Sequence, residues 1–225
     1  MTWELILVDF LGEEPQSFLS KEYIKKRIKE IFRNGTYDEG CFSSSGASYD
    51  LRLGKEVFIT PEKEPKLLKD NQVLMIESGQ FAVLMTHEYL TIPQDLLGFI
   101  TIRFTYKSKG LINISGFHVD PGFEGHLVFS VYNIGPTTVA LRQGDKVFSV
   151  FFAKIYPPTT IDERKALFNK ISKIPRNIIE SLAGSRAPSL GKLEENINRN
   201  WTYIQIYGVV IFSMLLTLLL ALITR

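Results

Sequence analysis

The chain is poor in the features that identify many protein classes at sight. Among 225 residues there is one cysteine, Cys41. An internal disulfide framework is therefore excluded, and so is a multi-cysteine zinc site. Neither sign of charge is in surplus, since 26 basic and 24 acidic residues leave a formal net charge of +2. No global field draws such a chain to nucleic acid, and none is expected as a partner. No internal repeat is present. The opening stretch Met1–Phe10 carries Glu4 and Asp9 and does not read as a signal peptide. Apolar residues at 45% and charged residues at 22% exclude a disordered or collagen-like chain.

Hydrophobicity is unevenly spread. A mean hydropathy of +0.04 is high for a chain with this many charges. The excess lies at the C-terminal end, where Trp201 to Thr224 holds no charged residue and Ile206–Ile223 reads IYGVVIFSMLLTLLLALI. A helix of roughly 20 apolar residues crosses about 30 Å of hydrocarbon. Trp201, Tyr203 and Tyr207 cluster at the start of this run, where aromatic rings lie among lipid headgroups. Arg186, Lys192 and Arg199 precede it and only Arg225 follows. Excess lysine and arginine marks the cytoplasmic side, so the expectation is a single-pass C-terminal membrane anchor with the globular part cytoplasmic. The solitary cysteine agrees with a reducing compartment.

The rest divides by pattern. Ser20 heads KEYIKKRIKEIF, in which Ile24, Ile28, Ile31 and Phe32 recur at helical spacing, and Asn34-Gly35 ends the helix. From residue 46 to about 155, short β-branched and aromatic runs alternate with Gly, Pro, Asn and Asp turns. They are Lys55–Thr60, Val73–Ile76, Phe81–Met85, Gly98–Arg103, Leu127–Tyr132, Thr138–Leu141 and Lys146–Phe152. That pattern predicts a mainly β sandwich or barrel. After Pro157-Pro158 the pattern turns helical, with Ile161–Ser172 and Arg176–Ala183 separated by Pro175, then a linker at Ser185–Gly191. Leu190, Leu193, Ile197 and Ile204 fall at heptad-like spacing, which fits either a short coiled-coil seam or an ordinary amphipathic connector. The expected division is a β domain over 1–156, a helical connector over 157–200 and a transmembrane helix over 201–224.

Chemistry concentrates in residues 103–125, RFTYKSKGLINISGFHVDPGFEG. Asp120 stands between Val119 and Pro121-Gly122, on a turn between two strands. A carboxylate held there activates a water, holds a metal or simply forms the turn. His118, two residues earlier, either faces a ligand or has a structural place, whereas His87 and His126 read as surface or strand residues.

The order of motifs resembles the dUTPase and dCTP deaminase family over about Leu19 to Ile155. Gly46-Ala47-Ser48-Tyr49-Asp50-Leu51-Arg52-Leu53-Gly54 is similar to the first motif of the deaminase branch. Thr86-His87-Glu88-Tyr89, then Pro93, Leu96, Gly98 and Arg103, resemble the approach to the second motif. Gly110-Leu111 and Asp120-Pro121-Gly122-Phe123-Glu124-Gly125 resemble the third, and Asn133, Gly135 and Gly144-Asp145-Lys146 the closing strands. The resemblance implies a dUTPase-like β jelly roll with short flanking helices, assembled as a homotrimer with a nucleotide site between subunits. It implies a pyrimidine deoxynucleoside triphosphate bound with Mg²⁺, the metal carried by the triphosphate rather than by direct protein ligands. Asn113–His118 would form the base-reading hairpin, with Asn113, Ser115, Gly116 and His118 facing nucleotide. Phe123 would pack on the deoxyribose, Arg103 would face the triphosphate with Thr105, Lys107 and Lys109 in support, and Asp120 would activate water.

Several ligand-facing positions depart from the family pattern. The deaminase glutamate falls at Ser130, and a hydroxyl cannot replace a carboxylate base. The Arg-Ser pair of the second motif is Arg103-Phe104, the arginine that follows is Ser108, and the glutamine of the last strand is Ser149. No Arg- and Gly-rich closing arm follows. A zinc mechanism is excluded, because the chain has neither His-x-Glu nor Pro-Cys-x-x-Cys. Two readings therefore stand. One is a membrane-anchored hydrolase of dUTP or dCTP. The other is a catalytically inactive nucleotide-sensing trimer coupled to its membrane helix, as in a stress or phage-defence effector. A purely structural trimer leaves Arg103 and Asp120 without a role.

Overall fold

The computed structural model describes residues 18–33, 35–160, 170–183 and 190–223. The chain divides into two compact units, Met1–Arg186 and Ala187–Arg225. The first is mainly β, a jelly roll built on one curled ten-stranded sheet and a separate two-stranded one, as expected.

Ser20 caps the first helix α1 (Lys21–Lys26) by accepting from Tyr23 N–H. The helix does not run on to Phe32 as its apolar spacing predicts. It breaks at Arg27 (φ −108°, ψ 16°), resumes as the single turn α2 (Ile28–Ile31) and gives way to strand β1 (Phe32–Arg33). Two tertiary demands account for this. Arg27 makes a bidentate ion pair with Asp95, at 2.6 and 2.9 Å, and Phe32 pairs with Leu90 while its ring packs 4.5 Å from that of Tyr49.

The sheet strands follow: β2 (Tyr49–Ile59), β3 (Lys66–Leu67), β4 (Val73–Ile76), β5 (Phe81–Thr91), β6 (Leu96–Ile102), β7 (Leu111–Asn113), β8 (His118–Val119), β9 (Glu124–Asn133), β10 (Val139–Arg142) and β11 (Lys146–Lys154). A four-residue helix, α3 (Phe104–Lys107), separates β6 from β7. Burial alternates along β6 and β9, so Leu96, Ile100 and Ile102 meet Leu127, Phe129 and Val131 in one core. The rings of Phe129 and Phe148 stack at its centre, 3.7 Å apart.

Strand β2 belongs to both faces of the roll. Its beginning pairs with β11 (Ser149↔Asp50, Val150↔Tyr49), and its later half pairs with β5 (Phe58↔Val83). At the changeover the register of β2 on β5 shifts between Leu53 and Val57, and that of β5 on β9 shifts between Met85 and Tyr89. Glu88 lies in this irregular stretch, fully buried. Its carboxylate accepts from Arg52 N–H at 2.8 Å and Arg52 Nε at 2.7 Å, while Arg52 Nη2 donates to Thr36 O at 2.6 Å and Nη1 to Asp38 at 3.1 Å. Burial pushes the Glu88 carboxyl up, and the Arg52 bonds oppose that rise. Beside it Gly54 lets the strands touch, since a Cβ there would stand 2.6 Å from Thr86 O.

Strands β2, β5 and β9 extend beyond the runs read from the sequence, because polar residues such as Glu88 and His126 interrupt the apolar pattern while keeping their place in the ladder. A further correction concerns Ile161–Ser172. Residues 161–169 lie outside the described residues, but Lys170–Ile171 is a strand, β12, parallel to β9 at Glu124–Gly125. Helix α4 (Arg176–Ala183) forms as expected after Pro175. The described residues of the second unit form the helix α5 (Leu190–Ile223), which already includes Leu190 and Gly191 of the expected linker. Its stretch Glu195–Ile223 is long and apolar enough to cross a membrane, by length and composition alone.

Two stability predictions follow from these ion pairs. Arg52→Ala leaves the Glu88 carboxylate buried without its cation and should cost about 3–5 kcal/mol in denaturant unfolding. The double change Arg52→Met with Glu88→Leu should cost clearly less, because no lone charge remains. Asp95 is held below the usual carboxylate range chiefly by its bonds to Arg27. Its contribution is thus present above the unfolded carboxylate pKa and lost as pH falls through the lower folded value. Asp95→Asn should flatten the acid limb of the stability–pH curve while leaving its shape near neutrality unchanged.

Candidate functional site

Asp120 owes its position to a tight turn between β8 and β9. Asp120 C=O accepts from Phe123 N–H at 3.2 Å, with Pro121 at the second position and Gly122 at the third with φ +78°, the pattern of a type II turn. Gly122 N–H donates to Ile92 O at 2.7 Å, fixing the turn to the end of β5. The carboxylate points outward, with its side chain 72% exposed, and stands 3.4 Å from His118 Nε2. Phe123 is half-buried against the core.

The preceding hairpin is tied by its own polar groups. Asn113 Oδ1 accepts from Ser115 N–H at 3.1 Å and from Ser115 Oγ at 2.5 Å, and Asn113 Nδ2 donates to Gly116 O at 3.3 Å. Ser130 on β9 meets the hairpin across the ladder. Its N–H donates to Ser115 Oγ at 3.3 Å and its C=O accepts from Ile114 N–H at 2.8 Å. Ser115, Gly116, His118, Asp120 and Phe123 line one cleft of about 180 Å³, together with Ile100, Val128 and Ile171.

Arg103, Thr105 and Lys107 do not join them within one chain. They line a second cleft of about 520 Å³ with Lys146, Asp50, Ser43, Ser48 and Ser149. Arg103 is the residue before α3 and its Nε stands 3.3 Å from the Asp50 carboxylate, which is nearly buried. Ser149 Oγ donates to the other Asp50 oxygen at 2.6 Å. Lys107 Nζ is 3.5 Å from Thr101 Oγ1. Lys109 lines neither cleft, and its ammonium lies 5.9 Å from the Tyr106 ring centre. Burial, then the Asp145 charge, pushes the Tyr106 phenol up to about 12, so it stays protonated beside these cations. Phe104, where the pattern expects serine, is 80% exposed at the mouth of this cleft.

Asp50, Lys146, Ser43, Ser48 and Ser149 of the second cleft were not among the candidate site residues. Asp50, Ser48 and Lys146 stood only as parts of family-like motifs, and Ser149 was noted as a replacement only; Asp50 and Ser149 matter most. The structure makes them a relay in which Ser149 orients Asp50 and Asp50 meets Arg103. His126 has a structural place, its Nδ1 3.1 Å from Glu88 O and its ring packed on Tyr89. His87 is pushed down chiefly by burial.

The curled roll thus carries a strand-end carboxylate beside a hairpin and, apart from it, a cationic cleft. The model of the family described as dCTP deaminase-like matches residues 18–155, and the chain belongs to that family. It is 36% identical over 93 residues to the dCTP deaminase of Idiomarina loihiensis, a match covering 41% of this chain and 48% of that protein. It is 28% identical over 165 residues to the dUMP-forming dCTP deaminase of Methanobrevibacter smithii, covering 64% of this chain and 84% of the relative. The chain thus spans about half the length of the first of these relatives and most of the second. The crystal structure of 2'-deoxycytidine 5'-triphosphate deaminase from Agrobacterium tumefaciens is similar in fold, with a TM-score of 0.53 at 15% identity, covering 68% of this chain and 53% of that one.

The hairpin carries its own prediction. Ser115→Ala removes the hydroxyl between Asn113 and Ser130 and should cost about 1 kcal/mol in unfolding. Amide exchange at Ile114–Phe117 should quicken, while exchange in the β6–β11 ladder stays as in the parent.

Proposed function

We propose that the chain is a membrane-anchored dCTP deaminase/dUTPase-like protein that binds a pyrimidine deoxynucleoside triphosphate and hydrolyses it at Asp120. The observation that carries this reading is the exposed Asp120 carboxylate sharing one cleft with the hairpin Ser115–His118 and with Phe123. In the step envisaged, a water oxygen forms its bond to the α-phosphorus and the bond to the β-phosphate oxygen breaks. Pyrophosphate leaves with the electron pair, and the water proton passes to the Asp120 carboxylate. Arg103, Lys107 and Lys146 offset the triphosphate charge from the second cleft. Because one chain holds these groups in separate clefts, the reading calls for copies that bring one chain's Arg103 cleft to another's Asp120 cleft. A homotrimer supplies that arrangement.

Magnesium enters as part of the substrate. Among the described residues no group of three or more His, Cys, Asp or Glu side chains could hold a metal ion. Mg²⁺ is read as the counter-ion of the triphosphate, as the family resemblance implies. Deamination is disfavoured, because Ser130 has no carboxylate to move a proton at the base.

A second reading has its own support. The replacements at Phe104, Ser108, Ser130 and Ser149 fall where the family resemblance places ligand-facing groups, Phe104 and Ser149 line the second cleft, and a helix fit to cross a membrane follows in the chain. Both suit a nucleotide-sensing trimer that signals to its anchor without turnover.

The full-length protein in detergent distinguishes the readings. With dUTP or dCTP and Mg²⁺, a ligand at 100 times its Kd should stabilise the fold by about 2.7 kcal/mol, seen as a raised Tm. Pyrophosphate release abolished by Asp120→Asn supports the hydrolase, whereas a raised Tm with no product supports the sensor. No shift with any nucleotide overturns both. The anchor is checked separately: the parent should stay with membranes in carbonate, and a chain ending at residue 200 should be released.

A further inference from the structure

The segment after the family-matched region makes contacts of its own. Residues 170–183 lie beyond residue 155, where the match ends. Strand β12 joins the sheet at Glu124–Gly125, directly after the Asp120 turn. The seat is made for a close neighbour, because Gly125 has φ +146° and a Cβ there would overlap the N and O atoms of Ile171. Glu124 accepts from Tyr89 OH at 3.2 Å and pairs with Lys170 Nζ at 3.4 Å.

Past β12 the segment covers part of the sheet. Ile174 and Ile179 are buried with Phe58, Val83 and Met85 in a small second core, and Ile178, Leu182 and Val128 pack on it. This cluster is separate from the main core of the roll. Val128 connects it to the Asp120 cleft, since it both lines the cleft and packs against the cluster, and Ile171, three residues before Ile174 in the chain, forms part of the cleft wall. The chain then continues through residues 184–189 into α5, the apolar helix.

We propose that β12 and α4 form a latch whose docking is linked to occupancy of the Asp120 cleft, so that a bound ligand holds in place the segment leading to the apolar helix. Ile171 supplies wall only when the latch is docked, so a ligand touching that wall binds the docked state more tightly. By reciprocity the ligand stabilises docking by the same factor. The small size of the second core makes the latch the part of the domain able to release first. The identity of the ligand as a deoxynucleoside triphosphate rests on the function proposed above. The linkage of latch to cleft rests only on the contacts just described.

Hydrogen exchange on the full-length protein in detergent tests the latch, with peptides spanning 113–123, 170–183 and 146–154. Ile174→Asp buries a charge in the second core and should speed exchange of 170–183 and of 113–123 by about tenfold, while 146–154 keeps its parental rate. Ile179→Asp should reproduce this from the helix side. Gly125→Ala should do so by blocking β12 alone, and Ile174→Val should change little. With dCTP or dUTP and Mg²⁺, exchange of 170–183 in the parent should slow severalfold, and the Asp variants should bind the nucleotide correspondingly more weakly. Release of 170–183 that leaves 113–123 untouched overturns the proposal. So does nucleotide that raises the Tm without slowing 170–183. If no nucleotide binds and the variants still loosen 113–123, the latch stands and the nucleotide assignment alone falls.

Discussion

The Arg52–Glu88 pair is the constraint on which the roll depends. A carboxylate with no solvent access is tolerable only if every lone pair is met, and Arg52 meets it with both its backbone N–H and its side chain. The remaining guanidinium donors reach Thr36 and Asp38, so one residue fastens the segment after β1 to β2 and β5. This is where β2 leaves β11 for β5 and where both ladders of β5 change register. A slip by one residue would strand the charge in the core, so the pair selects one register. It contributes specificity more surely than net stability.

The same corner positions both clefts. Strand β2 carries Asp50 two residues before Arg52, and Asp50 pairs directly with Arg103 while Ser149 of β11 donates to its other oxygen. Strand β5 ends at Thr91, and the next residue, Ile92, holds the Asp120 turn through its backbone C=O. The scaffold therefore delivers a cation cluster and a carboxylate on separate surfaces of one chain. Under the function proposed above, that separation is what calls for a second copy, since among the described residues no lysine or arginine lines the Asp120 cleft.

Much of this was legible in the residues. The alternating strands, the Asp120-Pro121-Gly122 turn, the Ser20 cap and the apolar helix all rest on local patterns and are present, although β2, β5, β9 and α5 run longer than those patterns. The failures have a common cause. Phe32 continued a helical spacing, yet pairing with Leu90 and packing on Tyr49 made it a strand residue. Lys170 and Ile171 sat in a helical pattern, but Gly125 leaves room for a parallel neighbour and they joined the sheet. Glu88 looked like an interruption of a strand because its partner lies 36 residues away. Asp50 was hidden for the same reason, its role being defined by Arg103 and Ser149.

By itself, then, the sequence determined the class of fold, the turn that presents Asp120 and a helix fit for a membrane, because periodicity and turn chemistry act within a few residues. Tertiary structure alone decided how the candidate residues divide between two clefts. It also decided that Asp50 tempers Arg103 and that the tail beyond the domain enters the wall of the Asp120 cleft. Those outcomes depend on contacts between residues far apart in the chain, and such contacts leave no local spacing to read.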